Sequence, residues 1–203
     1  MIAPKTGPET AHRTHPCAAI NLSHLDQTVQ CAGWVQNRRD HGGVIFIDLR
    51  DMSGLVQLVF DPVNSNVFQA AETLRAETVL CVEGRVAARP EGTINPTLAT
   101  GQIEIHTQII PHINRSQALP FAPDGHTGIS EMVRLTHRTL DLRNPAMQQH
   151  FKMRAKTLSV MRSFLEDDAF LEIETPILTK TTPEGSRDYI VPSRTQPGSF
   201  FAL

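Results

Sequence analysis

The segment that decides the fold spans residues 42–60 and reads GGVIFIDLRDMSGLVQLVF. Its pattern predicts two β-strands, Val44–Arg50 and Leu55–Phe60, joined by a short turn around Gly54. Turn-forming residues between two alternating apolar runs are the usual signal of an antiparallel hairpin. We therefore expect the two strands to pair with each other.

The alternation of residue types gives this hairpin two faces, because successive side chains of a strand point to opposite sides. One face is wholly apolar and should form the core: Ile45, Ile47, Leu49, Val56, Leu58 and Phe60. The other face carries a ring, an acid, an arginine and an amide: Phe46, Asp48, Arg50 and Gln57. A ring beside polar groups on an open sheet face is typical of proteins that read unpaired bases. The alternative is that a neighbouring loop covers Phe46.

The composition is ordinary for a globular protein, with 40% hydrophobic and 20% charged residues in a chain of 203. A formal net charge of −2 excludes a generally basic nucleic-acid coat, so any contact with nucleic acid must use a local patch. Neither the three cysteines nor the nine histidines have metal-ligand spacing, which predicts reduced thiols and no metal. The sequence has no membrane-spanning run and no signal peptide, so we expect a cytoplasmic protein.

The same patterning predicts three more strands and one helix around the hairpin. The strands are Thr28–Asn37, Thr78–Ala88 (broken by Gly84) and Gly101–Ile113. The helix, Asn64–Arg75, follows the hairpin and is capped by Asn64. A basic loop over residues 38–43 leads into the hairpin, and a turn-rich loop over residues 89–100 precedes the last strand.

Five strands with a helix between the third and the fourth is the order of the OB barrel, whose second and third strands bind oligonucleotides. The hairpin would then be those two strands. This is an argument from fold analogy, since many OB folds bind other ligands.

The remainder of the chain has a different character. Residues 114–143 are rich in proline, glycine and polar residues and predict a hinge with a short helix. A long helix begins after Asn144, with Pro145 in its first turn and its apolar residues on one stripe. Phe170–Pro176 predicts a strand that proline ends, followed by loops with short strands. The predicted domains are a disordered tail (1–13), a barrel (14–113), a hinge (114–143) and the incomplete start of an α+β domain (144–203).

Three runs of sequence resemble one family, the bacterial aspartyl-tRNA synthetases of class II. Residues 31–60, which include GWVQNRRDHGGVIFIDLRD, resemble their anticodon-binding domain. The run RTLDLRNPAMQQHFKMRAK resembles their hinge and first catalytic-domain helix, and ETPILTKTTPEGSRDYIVPSR resembles their motif 1 and the loop after it. The resemblance covers residues 13–203 and implies the N-terminal portion of such an enzyme: an OB-fold anticodon-binding barrel, a hinge and a truncated class II catalytic domain with its long helix and motif 1 strand.

The resemblance implies a set of anticodon-binding residues: Arg38, Arg39, Phe46, Gln57, Asn95 and Glu104. Phe46 would stack on the central base, Gln57 would read a base edge and Glu104 would contact the first base. Stacking contributes about 1–3 kcal/mol per base. On the residues alone, the two arginines are equally a solvated basic loop and Glu104 an exposed strand position.

The resemblance also bears on which tRNA is accepted. His41 and Gly92 match relaxed family members that charge tRNA(Asn) as well as tRNA(Asp). A glycine near the third anticodon base removes contacts through which a wrong tRNA is rejected. The alternative is that both are simply good turn residues.

In the second domain, Pro176 matches the motif 1 proline of the family's dimer interface, and it also fits a plain strand end. Glu184 matches a loop glutamate that accepts from the ammonium group of aspartate, against the alternative of a surface acid in a turn. The complete enzyme would be a homodimer that uses ATP and Mg²⁺ to form aspartyl-adenylate and then aspartylates tRNA. Its motifs 2 and 3 would lie beyond Leu203, so we expect no catalytic residue and no adenylate formation here. The rival hypothesis is a stand-alone OB-fold RNA-binding module.

Overall fold

The computed structural model describes residues 12–125, 128–180 and 188–203. Contacts within the chain divide it into two units, residues 1–119 and residues 120–203. The first unit is a β-barrel, and the second is mainly helical.

Five strands close the barrel: β1 (Thr28–His41), β2 (Val44–Arg50), β3 (Leu55–Phe60), β4 (Val79–Ala88) and β5 (Ile103–Asn114). Their order around the barrel is β1-β2-β3-β5-β4, with β4 closing against β1. Strands β3 and β5 pair in parallel, and the other neighbours are antiparallel. Helix α1 (Ser65–Glu72) lies between β3 and β4 in the chain. The predicted OB-fold order is confirmed.

The hairpin β2–β3 supplies the centre of the core, as its apolar alternation predicts. Ile45 pairs with Phe60, Ile47 with Leu58 and Leu49 with Val56. All six side chains are fully buried. Cys17 packs into the same core, and its thiol pKa is raised by a hydrogen bond with Cys31 and by burial.

Strand β1 is longer than predicted. It continues to His41, so Arg38 and Arg39 lie in a strand and not in a loop. The reason is the turn that follows, in which Gly42 and Gly43 have φ angles of 63° and 83°. Two consecutive residues with positive φ form the tight turn that matches the twist of paired strands. The hydrogen-bonded pairing of β1 with β2 therefore continues up to this turn.

Two local predictions in the barrel were wrong. Gly84 does not break β4, because the strand remains paired on both sides through a bulge. A Cβ at this position would lie 2.4 Å from the carbonyl oxygen of His106, so glycine permits the close approach of β5. Asn64 precedes α1 but makes no side-chain cap; its amide donates instead to the carbonyl of Gln108 at 2.9 Å.

The second unit contains α2 (Glu131–Thr136), α3 (Arg138–Asp141), α4 (Pro145–Asp167), β6 (Ile190–Pro192) and β7 (Phe200–Ala202). The predicted start of α4 is confirmed: Asn144 Oδ1 accepts from the amides of Ala146 and Met147 at 2.9 and 3.3 Å. Phe170–Pro176 differs from its prediction, since in the described part of the chain it pairs with no other strand. Extended residues become a strand only when a partner accepts their backbone hydrogen bonds. No helix among the described residues is long and apolar enough to cross a membrane.

Candidate nucleic-acid interface

A chain of polar contacts crosses the outer surface of β1, β2, β3 and β5. Arg39 Nη2 donates to Asp48 Oδ1 at 2.6 Å and to Gln57 Oε1 at 3.4 Å. Gln57 Nε2 donates to Glu104 Oε2 at 3.0 Å. The chain is extended at both ends, by Asn37 against Asp48 and by His106 against Glu104. We call these residues and Phe46 the polar face.

Strand register explains why these side chains meet. Asp48 is paired with Gln57 across β2 and β3, and with Asn37 across β1 and β2. Paired residues of neighbouring strands project on the same side of a sheet, with Cβ atoms about 5 Å apart. The contact between Gln57 and Glu104 joins residues 47 positions apart, so barrel closure is needed to form it.

Phe46 lies at the edge of this network and is half-buried. It is paired with Arg39 on one side and with Val59 on the other. The ring of His41 lies 6.3 Å away between centroids, tilted by 54°. Part of the ring thus remains accessible, as a stacking platform requires.

Arg89 lies among these charges, although the sequence predicts it as the first residue of a loop. It is 8% exposed, and its Nε donates to the carbonyl of Ile103 at 3.0 Å. Its Nη2 is buried with no hydrogen-bond partner among the described residues. Burial lowers the pKa of the guanidinium, and the carboxylates of Glu104 and Asp48 oppose that shift. The sequence does contain a signal for Arg89. If the alternation of β4 is continued beyond Ala87, the next residue on the same face of the strand is Arg89.

Other predicted residues lie elsewhere. Arg50, expected on the same face as Asp48, donates instead to Glu77 at 2.7 Å, and Arg39 supplies the guanidinium in its place. Arg38 points away from Arg39 and lines a cavity beside α1. Glu104 is buried and is therefore not the exposed strand residue of the alternative reading.

The loop residues have clear local roles. His41 is exposed at the end of β1. Gly92 has a φ of 86° in a turn closed by the amide of Thr93 and the carbonyl of Pro90, with open space where a side chain would be. Asn95 Oδ1 accepts from the amide of Thr97 at 3.0 Å and so shapes its own loop.

Two site residues were predicted in the second unit, Pro176 and Glu184. Pro176 is exposed. Glu184 lies outside the described residues.

Comparison with known proteins assigns a class to both parts of the chain. Residues 29–109 match the family described as "OB-fold nucleic acid binding domain". Residues 130–203 match the family "tRNA synthetases class II (D, K and N)". The two matches thus join an OB-fold nucleic-acid-binding barrel to the start of a class II aminoacyl-tRNA synthetase domain.

Two individual relatives indicate which class II synthetases the chain resembles. The chain is 53% identical over 192 residues to the "Aspartate--tRNA(Asp/Asn) ligase" of Anoxybacillus flavithermus (strain DSM 21510 / WK1), and 50% identical over 191 residues to that of Legionella pneumophila (strain Corby). Each match covers 94% of this chain and 32% of the relative, so the chain spans about a third of their length. Over 94% of its length, the chain therefore matches a portion of the aspartate–tRNA ligases.

A solved structure supports the fold independently. The asparaginyl-tRNA synthetase of Pyrococcus horikoshii, solved with asparaginyl-adenylate, superimposes with a TM-score of 0.74 at 23% identity. The match covers 96% of this chain and 43% of that one.

Proposed function

We propose that this chain supplies anticodon recognition to an aspartate–tRNA ligase that accepts both tRNA(Asp) and tRNA(Asn). The observation that carries the proposal is the polar face: a half-buried ring, Phe46, beside donors and acceptors that hold one another in place. A ring stacks on any base, and the neighbouring polar groups decide which base is accepted.

The hydrogen bonds of Gln57 suggest how a base would be read. Its amide oxygen accepts from Arg39 and its amide nitrogen donates to Glu104, so both ends are already engaged. One lone pair of the amide oxygen and one N–H of the amide nitrogen remain free, so a base edge can bond to both while Arg39 and Glu104 hold the amide in one orientation. A base whose edge lacks the matching donor and acceptor leaves these positions of the amide without a partner, which costs about 1–3 kcal/mol.

The acceptance of two tRNAs rests on His41 and Gly92. His41 is exposed at the end of β1, and Gly92 is exposed in a turn and has no side chain with which to reject a base. The names of the two relatives, which include tRNA(Asp/Asn), support this part of the proposal.

The remaining steps belong to the complete enzyme. There, aspartate would be activated with ATP and Mg²⁺, and Glu184 would hold the aspartate ammonium group. The complete enzyme would be a cytoplasmic homodimer with Pro176 at its interface. The described residues contain no group of three or more His, Cys, Asp or Glu side chains that would hold a metal ion.

The experiment measures the Kd of the 203-residue chain for anticodon stem-loop RNAs of tRNA(Asp) and tRNA(Asn). We expect similar binding of the two, and a loss of about 5- to 150-fold for both in Phe46→Ala, the equivalent of about 1–3 kcal/mol of stacking. Phe164→Ala is the matched control, since Phe164 is 66% exposed on α4. We expect that control to leave both affinities unchanged.

Three results would contradict the proposal. Unchanged binding by Phe46→Ala would remove the role of the ring. Equal binding of a stem-loop with a scrambled anticodon would favour a stand-alone RNA-binding module over an anticodon reader. A strong preference for tRNA(Asp) over tRNA(Asn) would overturn the reading of His41 and Gly92.

A further inference from the structure

A cavity of about 570 Å³ lies beside the C-terminal end of α1. Three arginines line it, Arg38 from β1, Arg75 from the segment after α1, and Arg115 from the segment after β5. We call it the arginine cavity. Arg38 and Arg39 are consecutive residues of β1, so their side chains project to opposite sides of the strand. One strand thus joins the arginine cavity to the polar face.

The arginine cavity has an excess of positive charge. The acidic residue that lines it is Glu72, which leaves two of the three guanidinium charges uncompensated. In the described part of the chain, Arg38 and Arg75 form no ion pair, and Arg115 Nη2 donates to the neutral hydroxyl of Thr73 at 3.2 Å. All three arginines are exposed. This excess stands out in a chain whose formal net charge is −2.

By contrast, the charges of the polar face and the neighbouring Arg89 balance one another. The guanidinium groups of Arg39 and Arg89 face the carboxylates of Asp48 and Glu104. Such a surface can distinguish bases but has no net charge with which to attract the RNA backbone. Phosphate contacts position a nucleic acid and base contacts specify it, so the two tasks need different surfaces.

We propose that the arginine cavity binds backbone phosphates of the same RNA whose bases lie on the polar face. Guanidinium groups suit this role because their planar donors match phosphate oxygens in pairs. The hydroxyls of Thr73 and Ser116, which also line the cavity, add neutral polar contacts. The identity of the RNA rests on the proposed function, whereas the phosphate site does not.

A simpler explanation is that the arginines only stabilise the negative end of the α1 dipole. That role would appear in the stability of the barrel and not in the salt dependence of RNA binding. The two explanations therefore predict different measurements.

The test is the double variant Arg75→Gln/Arg115→Gln in the 203-residue chain, with the anticodon stem-loop of tRNA(Asp) as the probe. Each phosphate contact contributes about 0.7–0.9 to the slope of log K against log salt. Between about 50 and 200 mM salt, the rise in Kd should therefore be about tenfold smaller in the double variant than in the original chain. The ratio of affinities for correct and altered anticodons should stay the same, because the polar face is untouched.

The matched control, Arg85→Gln/Arg162→Gln, removes the same total charge. Both arginines are exposed and already paired, Arg85 with Asp26 at 2.7 Å and Arg162 with Glu172 at 2.8 Å. We expect this control to keep the original salt slope, and thermal unfolding to show that both double variants are folded.

An unchanged salt slope in Arg75→Gln/Arg115→Gln would overturn the inference. An equal fall of the slope in the control would overturn it too, because total charge alone would then determine the salt dependence. Failure of the proposed function is seen separately. In that case the original chain does not distinguish anticodons, while the comparison of slopes still decides whether the cavity binds phosphate.

Discussion

The barrel and the second unit differ in how far their apolar side chains are buried. The inward residues of β2 and β3 are fully buried. Helix α4 has 23 residues and none of them is buried, although Phe151, Leu158, Met161 and Leu165 form the predicted stripe. These four side chains are 41–56% exposed. The difference shows that an apolar stripe predicts the secondary structure of a segment but not what covers it.

Polar contacts define the start of the second unit instead. Asp141 is fully buried and accepts from Arg134 Nε at 3.0 Å and from Arg138 Nη1. Asn144, also buried, caps α4 and donates to the carbonyl of Pro123 at 3.1 Å. The barrel is thus held by apolar burial, and the segment before α4 by hydrogen bonds to buried polar groups.

The sharpest test of this comparison replaces the same residue type in both units. Phe60→Ala should lower the free energy of unfolding of the barrel by about 3–5 kcal/mol, because it empties a fully buried site. Phe164→Ala should change stability by no more than about 0.5 kcal/mol, because that ring is 66% exposed. In denaturant unfolding, the fluorescence of Trp34, the single tryptophan, reports the barrel, and circular dichroism of helical structure reports α4. Equal losses in the two variants would refute the comparison.

A second test concerns the buried acid. Asp141→Ala should destabilise α2 and α3 by about 2–3 kcal/mol, since two charged hydrogen bonds are lost together. Hydrogen exchange of the amides in residues 131–144 provides the measurement. The control is Glu172→Ala, whose exposed pair with Arg162 should contribute only about 0–1 kcal/mol. Unchanged exchange in Asp141→Ala would mean that these arginines do not hold the segment.

The smallest expected effect is a difference between the two units in how their stability depends on pH. The folded barrel raises the pKa of Cys17 and Cys81 above the ordinary thiol value of 9.0. Above pH 9.0 the unfolded chain loses thiol protons that the folded barrel retains, so barrel stability falls as pH rises. Each thiol contributes up to about 1.4 kcal/mol per pH unit. The second unit contains no cysteine and lacks this term.

Urea unfolding at a series of alkaline pH values compares the original chain with Cys17→Ala. The variant should have a shallower loss of stability above pH 9.0, whatever its absolute stability. Parallel pH profiles would show that the Cys17 thiol does not contribute.

Part of this architecture can be predicted because it depends on residues that are close to one another in the sequence. Period-two alternation identified the core face of β2 and β3, and the Asn144–Pro145 pair identified the start of α4. The separation of Arg38 from Arg39 was not predicted, because the extension of β1 depends on a two-glycine turn. The partner of Arg50 was missed because Glu77 comes from a distant segment.

The sequence by itself determined the order of strands, the inward face of the hairpin and the family resemblance, since each is written in local periodicity or in short motifs. Tertiary structure alone decided which polar groups meet. Closure of the barrel brought Gln57 to Glu104 and buried Arg89 near the carboxylates of Glu104 and Asp48, and the extension of β1 placed Arg38 in a separate cavity. The physical reason is that hydrogen bonds and charges act over a few ångströms in space, whatever the separation of the residues along the chain.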